Sequence, residues 1–299
     1  MKARVPCVSI CLPVFNGEKY IREAIGSILA QTFEDFELIV SDNASTDGTQ
    51  ALCREAAMHD SRIRYFRADT NRGLAWNWNR AFELATGRYL VWFSHDDLMA
   101  PDYIRQCVEV LQQDADTLLC FTNSYYIDGE GKVIQRVDLL NPGAAETPSE
   151  RFQHILYDVR CDPVCGLMKT EFLKQTRLHA GYADSDRVLL AEMGFRGQFR
   201  KIPDYLFSRR MHALQTTTRY RDRWDRTLIF DPSKAGKAVC PWWREWFDFV
   251  VAIARAPISL KERFRSCKSL YWWSLVHRTF LVQDVRRVFK GFSSSTERS

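Results

Sequence analysis

The chain has 299 residues, 46% of them hydrophobic, enough to bury a large core as one domain with an appendage or as two. Its net charge of +5 comes with no motif for nucleic-acid binding, which argues against a nucleic-acid partner. The longest stretch without a charged residue, Val5 to Gly17, is too short and too broken by proline to cross a bilayer.

Met1 to Arg4 is basic, but Val5 to Leu12 runs straight into a strand and the Pro13 turn, which is not the pattern of a secretory leader. Val8 to Val14 is rich in β-formers and ends in Pro13-Val14-Phe15-Asn16-Gly17. Glu18 to Gln31 repeats apolar residues at Ile21, Ala24, Ile25, Ile28 and Leu29, a helical spacing. A second strand, Phe36 to Val40, closes on Ser41-Asp42-Asn43-Ala44-Ser45-Thr46-Asp47-Gly48, and a second helix covers Gln50 to His59. Ile63 to Phe66 and Leu74 to Ala85 form the third strand and helix. The apolar run from Tyr89 then reads as a buried strand that ends on Ser94-His95-Asp96-Asp97.

Strand and helix thus alternate four times, which predicts an α/β fold with a parallel sheet wrapped by helices. Ligands of such sheets gather at the carboxyl ends of the strands, where Phe15, Asn16, Asp42, Asn43, Asp96 and Asp97 all fall. Two adjacent carboxylates at a strand end suit Mg²⁺ or Mn²⁺ carrying a phosphate. They equally suit a cap for a helix starting near Pro101, and the run alone leaves both readings open.

Further on, Val188 to Glu192 reads as a helix preceded by Asp184-Ser185-Asp186, an N-cap pair or a pair of reactive carboxylates. Asp204 to Phe207 is strand-like and leads to Ser208-Arg209-Arg210-Met211-His212. After Gly236 the chain changes character. Trp242 to Ile253 is amphipathic, with Arg244, Asp248 and Arg255 on one side and Trp246, Phe249, Val250 and Ile253 on another. Residues 255–299 hold ten Lys or Arg against three Asp or Glu, a basic tail on a near-neutral remainder. Nine cysteines without a Cys-x-x-Cys pair suit reduced thiols in a cytosolic protein.

Four of these segments in order resemble family 2 glycosyltransferases of the GT-A fold: Pro13 to Tyr20, Ser41 to Thr49, Asn71-Arg72-Gly73 and Ser94 to Asp97. The match covers roughly residues 5–130 and weakens toward 215. It implies a Rossmann-like GT-A domain over 1–235, with a donor half to about 130 and an acceptor half beyond. A basic helical extension over 236–292 and a disordered tail over 293–299 follow. The implied reaction moves a sugar, with inversion, from a nucleotide-sugar donor to a glycan or lipid-linked acceptor.

The resemblance also implies roles. Phe15 and Asp42 hold the donor's base, supported by Pro13, Asn16, Glu18 and Asn43; Asn71, Arg72 and Gly73 form a loop beside the donor. Asp96 takes the last place of the family's Asp-x-Asp metal motif. Ser94 and His95 occupy the places before it, so the usual first carboxylate is missing and Asp97 is its candidate substitute. Asp186 is the expected base, with Asp184 as runner-up. Arg210 would clamp the diphosphate and His212 would touch the metal, Mg²⁺ or Mn²⁺. Without a membrane span or a Gln-x-x-Arg-Trp motif, the chain departs from processive family members.

The tail's bases and aromatics suit peripheral contact with the cytoplasmic face of a membrane through residues 240–290, homo-oligomerisation or packing on the catalytic domain. The competing function is a catalytically impaired GT-A domain serving as a nucleotide-sugar-binding or assembly module, motivated by Ser94. A nucleotidyltransferase or a dinucleotide oxidoreductase would want a glycine-rich first turn, and this one has a single glycine.

Overall fold

The expected alternation is present in the computed structural model, which describes residues 5–158, 160–213, 215, 219 and 222–296. Its first half runs β1 (Val8–Val14), α1 (Ile21–Leu29), β2 (Phe36–Asp42), α2 (Thr49–His59), β3 (Ile63–Arg67), α3 (Leu74–Leu84) and β4 (Tyr89–Trp92). β1 pairs in parallel with both β2 and β4, and β2 with β3. Every residue of β1 and β2 is buried, as expected for strands covered on both faces. Alternation along β1 sends Ile10 and Leu12 to one face of the sheet and Cys11 to the other.

The second half departs from a purely parallel sheet. It continues with β5 (Leu98–Met99), α4 (Tyr103–Gln113), β6 (Thr117–Ile127), β7 (Val133–Val137), α5 (Pro148–Tyr157), a 3₁₀ turn (Asp162–Cys165) and β8 (Leu167–Lys169). Then come α6 (Thr170–Leu173), α7 (Asp186–Gly194) and β9 (Gln198–Arg210). β8 inserts antiparallel between β4 and β6, giving the order β3-β2-β1-β4-β8-β6-β9-β5. A three-residue strand leaves too little sequence pattern to be read. β9 is far longer than the predicted stretch around Asp204 to Phe207, because it pairs with β6 along most of its length.

The remaining helices are α8 (Arg223–Phe230), α9 (Pro241–Arg255), α10 (Leu260–Val276) and α11 (Arg278–Thr296). Phe249, Ala252 and Ile253 of α9 and Leu270 and Trp273 of α10 join the same buried cluster as Cys11, Trp92 and Leu119. The stretch read as an extension therefore shares a core with the sheet. Each such side chain, Phe249 for example, contributes about 1.5–3 kcal/mol by leaving water.

The amphipathic reading of α9 needs one correction. Asp248 lies on the buried side with Glu245 and Phe249, while Phe247, Val250 and Val251 are exposed. At the end of the chain α11 runs through Thr296, where a structureless tail was expected from 293; residues 297–299 lie outside the described residues.

Candidate functional site

The loops after β1, β2 and β3 are laced together by side chains. Asn16, in a left-handed conformation (φ 53°), accepts from the Thr46 amide at 2.8 Å, and its own amide donates to Ser45 Oγ at 2.9 Å. Glu18 accepts from the Gly48 amide at 2.9 Å, and Asp47 accepts from the Glu18 and Thr49 amides, at the start of α2. Asn43 donates to Asn71 Oδ1 at 2.9 Å and to the Gly73 carbonyl at 3.1 Å, and accepts from the Arg72 amide at 3.0 Å. Gly73 needs to be glycine twice over: its φ is +93°, and a Cβ there would lie 2.5 Å from the Phe230 carbonyl oxygen.

Within this frame Pro13 is buried and Phe15 is 42% exposed. Asp42 is fully buried, accepting from the Ser45 amide at 2.8 Å and from Tyr65 Oη at 2.6 Å. The Arg72 guanidinium lies 4.4 Å over the Trp76 ring. The residues named from the sequence thus divide. Phe15 and Arg72 face outward; Asp42 and Asn43 build the loops from inside.

β4 ends at Trp92, so the carboxylates sit in a turn beyond the strand rather than on it. Neither caps the following helix, whose N-cap is Asp102. Asp96 Oδ2 lies 2.9 Å from His212 Nε2, which brings the segment after β9 to the turn after β4. Ser94 is half-buried beside them, and the His95 ring packs against Gly17, where a Cβ would come within 2.6 Å. Burial holds the His95 imidazole below its usual pKa, keeping it neutral near pH 7.

The two adjacent aspartates have opposite environments. Burial pushes the Asp96 carboxyl up, but the His212 hydrogen bond and the nearby His95 outweigh it and hold it below the usual range. Asp97 is buried; burial and the Asp96 charge drive it well above, although its Oδ1 accepts from the Arg210 amide at 2.9 Å. Like charges so close cannot both ionise easily. Asp97 is therefore a poor substitute for the carboxylate missing at Ser94.

Arg210 is fully buried beneath this turn rather than aimed outward as a phosphate clamp. Nε donates to the Asp96 carbonyl at 2.8 Å, Nη1 to the Gly129 carbonyl at 3.2 Å and Nη2 to Glu23 at 2.7 Å, with the Tyr20 ring 4.6 Å below. Arg210→Leu is expected to lower unfolding free energy by about 3 kcal/mol, since it leaves carbonyls and Glu23 without donors. Urea denaturation checks this. A raised donor KM with unchanged stability would instead mark Arg210 as a ligand-binding group.

Asp186 opens α7 and Ser185 is its N-cap, but Ser185 Oγ donates to the Ala180 carbonyl and caps nothing. Asp184, at φ 67°, pairs with Arg223 Nε at 3.1 Å and Arg226 Nη2 at 3.2 Å. Asp186 takes a single hydrogen bond, 3.0 Å from the Arg187 amide, and no ion pair among the described residues. Burial first, then the Asp184 charge, raises its carboxyl from the usual 3.8 to about 6. The 3₁₀ turn packs against both α7 and β4, and so joins the Asp186 region to the end of β4.

No three His, Cys, Asp or Glu side chains among the described residues converge as a metal cage. The Asp96–His212 pair nevertheless suits a divalent ion that takes one or two protein ligands and completes its shell from substrate phosphates and water. The chemistry of the pair fits: a carboxylate held below its usual range stands 2.9 Å from an imidazole nitrogen, two donors close enough to share one ion.

Sequence reasoning missed the ion network behind α7. Glu245 and Asp248 of α9 meet Arg187, Arg223 and Arg177, and Tyr182 Oη donates to Asp248 at 2.8 Å. A signal existed: Glu245 stands four residues before Phe249, on the face that helical spacing buries.

A family model described as glycosyl transferase family 2 matches residues 9–172. Chondroitin synthase of Escherichia coli is 34% identical over 131 residues, 44% of this chain; the chain thus spans about a fifth (19%) of that relative's length. An uncharacterized glycosyltransferase of Rickettsia prowazekii is 27% identical over 240 residues, covering 73% of this chain and 70% of its own. Among solved structures, S. aureus TarS 1–349 in complex with UDP-GlcNAc aligns with a TM-score of 0.64 at 14% identity, covering 95% of this chain and 81% of that one. The mannosyltransferase PcManGT from Pyrobaculum calidifontis, in complex with GDP-Man and Mn²⁺, aligns at 0.54 with 18% identity over 96% of this chain and 88% of that one. At such identities the structural likeness speaks for the fold alone.

Proposed function

Because the chain belongs to glycosyl transferase family 2 and has the GT-A fold, we propose that it transfers a sugar from a nucleoside-diphosphate sugar to an acceptor hydroxyl, with inversion at the anomeric carbon. The observation that carries this reading is Asp186, a carboxylate without an ion pair among the described residues, held near pKa 6. The 3₁₀ turn joins it to the end of β4, beyond which Asp96 meets His212.

The ionised Asp186 takes the proton of the acceptor hydroxyl, whose oxygen attacks the anomeric carbon as the bond to the diphosphate breaks. The diphosphate leaves with the bonding electrons, and a single displacement inverts the centre. Asp96 and His212 would hold Mg²⁺ or Mn²⁺ together with donor phosphate oxygens. Such an ion would neutralise charge on the leaving diphosphate. Exposed Phe15 offers a face for the donor's base, beside the loop of Asn71, Arg72 and Gly73.

The acceptor we propose is a glycan or a lipid-linked sugar. Phe264, Tyr271, Trp272, Phe280 and Phe289 are exposed among the basic residues of α10 and α11, which supports contact with an anionic membrane face; self-association is the other use of that surface. None of the helices among the described residues is long and apolar enough to cross a membrane. Ser94 favours one second reading, a donor-binding module with impaired catalysis.

Both readings are tested by donor hydrolysis, transfer and binding over a panel of nucleotide sugars with Mn²⁺, Mg²⁺ or EDTA. Metal-dependent transfer from one donor supports the enzyme. Tight donor binding without transfer to any acceptor supports the module, and no binding at all sinks both.

A further inference from the structure

Glu245 of α9 is fully buried, and a buried carboxylate requires partners. It has two ion-pair partners, Arg187 Nη1 at 3.3 Å and Arg223 Nη2 at 2.8 Å, although neither carboxylate oxygen is met in hydrogen-bond geometry. Arg187 follows Asp186 directly in the chain. Arg223 reaches Asp184 at 3.1 Å and donates to the Ala183 carbonyl at 3.2 and 3.1 Å, with its guanidinium 4.3 Å over the Trp242 ring. One carboxylate from α9 therefore holds the two cations that flank residues 183–187. That loop needs holding, because Asp184 is a non-glycine residue in the left-handed region.

We infer that Glu245 is a positioning residue for the proposed base: by engaging Arg187 and Arg223 it keeps Asp186 free of an ion pair and fixes the loop that presents it. The inference rests on Asp186 being the base. An Arg187 without Glu245 has an obvious alternative partner in Asp186, one residue away, and a paired carboxylate is a weaker base.

The other charges around Asp186 do not substitute for Glu245. Asp184 is engaged by Arg223 and Arg226, both from α8. The 3₁₀ turn contributes Cys161 and Cys165, thiols that burial pushes up and keeps neutral. His277, at the end of α10, faces the Arg187–Glu245–Arg223 cluster, and burial lowers its pKa so that it is neutral. Among these groups Glu245 is the carboxylate that engages both Arg187 and Arg223.

The test is the pH dependence of kcat/KM for wild type, Glu245→Gln, Glu245→Asp, Arg187→Met and Asp248→Asn. Wild type is expected to lose activity as pH falls through about 6. In Glu245→Gln this acid limb moves to lower pH, kcat on the plateau falls about tenfold and the donor KM stays within about twofold. Glu245→Asp restores most of both. Arg187→Met, which removes the cation, moves the limb the opposite way.

Asp248→Asn removes another buried carboxylate of the same helix, one that serves Arg177 and Tyr182, and lowers stability without moving the limb. A Glu245→Gln limb that coincides with wild type overturns the inference, whatever its thermal stability. If Glu245→Gln does not fold, an unmoved limb in Arg187→Met overturns it. Full activity in Asp186→Asn, or no acid limb in wild type, instead overturns the base reading itself.

Discussion

Asp186→Asn is expected to lower kcat by about 10²–10⁴-fold, the usual contribution of a positioned general base, with the donor KM little changed. The amide keeps the shape of the side chain and cannot take a proton. In the proposed reading the donor is held by the loops after β1 to β4, so affinity should survive. An unchanged kcat with the true acceptor would remove Asp186 from the chemistry and move attention to Asp184.

The same substitution carries a second, independent readout. Burial and the Asp184 charge raise the Asp186 carboxyl from the usual 3.8 to about 6. Between those values the folded chain holds a proton that the unfolded chain has lost. This contribution to stability is fully present below about pH 4 and gone once pH has risen through about 6. At pH 7.5 the ionised carboxylate costs the fold up to about 3 kcal/mol. Asp186→Asn should therefore unfold at a higher temperature than wild type at pH 7.5, with the difference closing toward pH 4. A reactive carboxylate held at the expense of stability would account for both results.

Asp96→Ala is expected to lower metal-dependent turnover by about 10²–10³-fold, the equivalent of several kcal/mol of transition-state stabilisation by the ion. The Mn²⁺ concentration for half-maximal rate should rise as well, and a Mn²⁺ titration of initial rates measures both. Asp97→Asn should cost far less, because burial and the Asp96 charge drive the Asp97 carboxyl well above the usual range and its Oδ1 accepts from the Arg210 amide. Equal losses from the two substitutions would contradict this division. A wild-type rate that EDTA leaves untouched would remove the metal from the proposal.

The first half of the fold was legible because its signals are local. The 3.6-residue spacing of Ile21, Ala24, Ile25 and Ile28 and the apolar runs of β1, β2 and β4 are set by what one element buries. In a parallel βαβ sheet the strand ends then fall on one edge, so the turns bearing Phe15, Asp42 and Asp96 could be placed together from the chain order. Asp186 was singled out by the family resemblance, which implies a base carboxylate near the start of this helix, and the structure places it as the first residue of α7. β8 was not, because three residues carry no period and its place between β4 and β6 depends on distant partners.

Which polar groups serve the site and which serve the scaffold was decided only by tertiary structure. Arg210 and Arg72 look alike as residues, yet one is buried against the Tyr20 ring with acceptors on all three nitrogens while the other is exposed over the Trp76 ring of α3. Asp96 and Asp97 are neighbours with opposite proton affinities, since His212 reaches one and burial isolates the other. Helical spacing puts Glu245 on the face of Phe249, but only the docking of α9 sets it between Arg187 and Arg223. Secondary structure follows from neighbours along the chain, and sequence patterning reports it. Desolvation and charge pairing follow from neighbours in space, and here those come from segments far apart in the sequence.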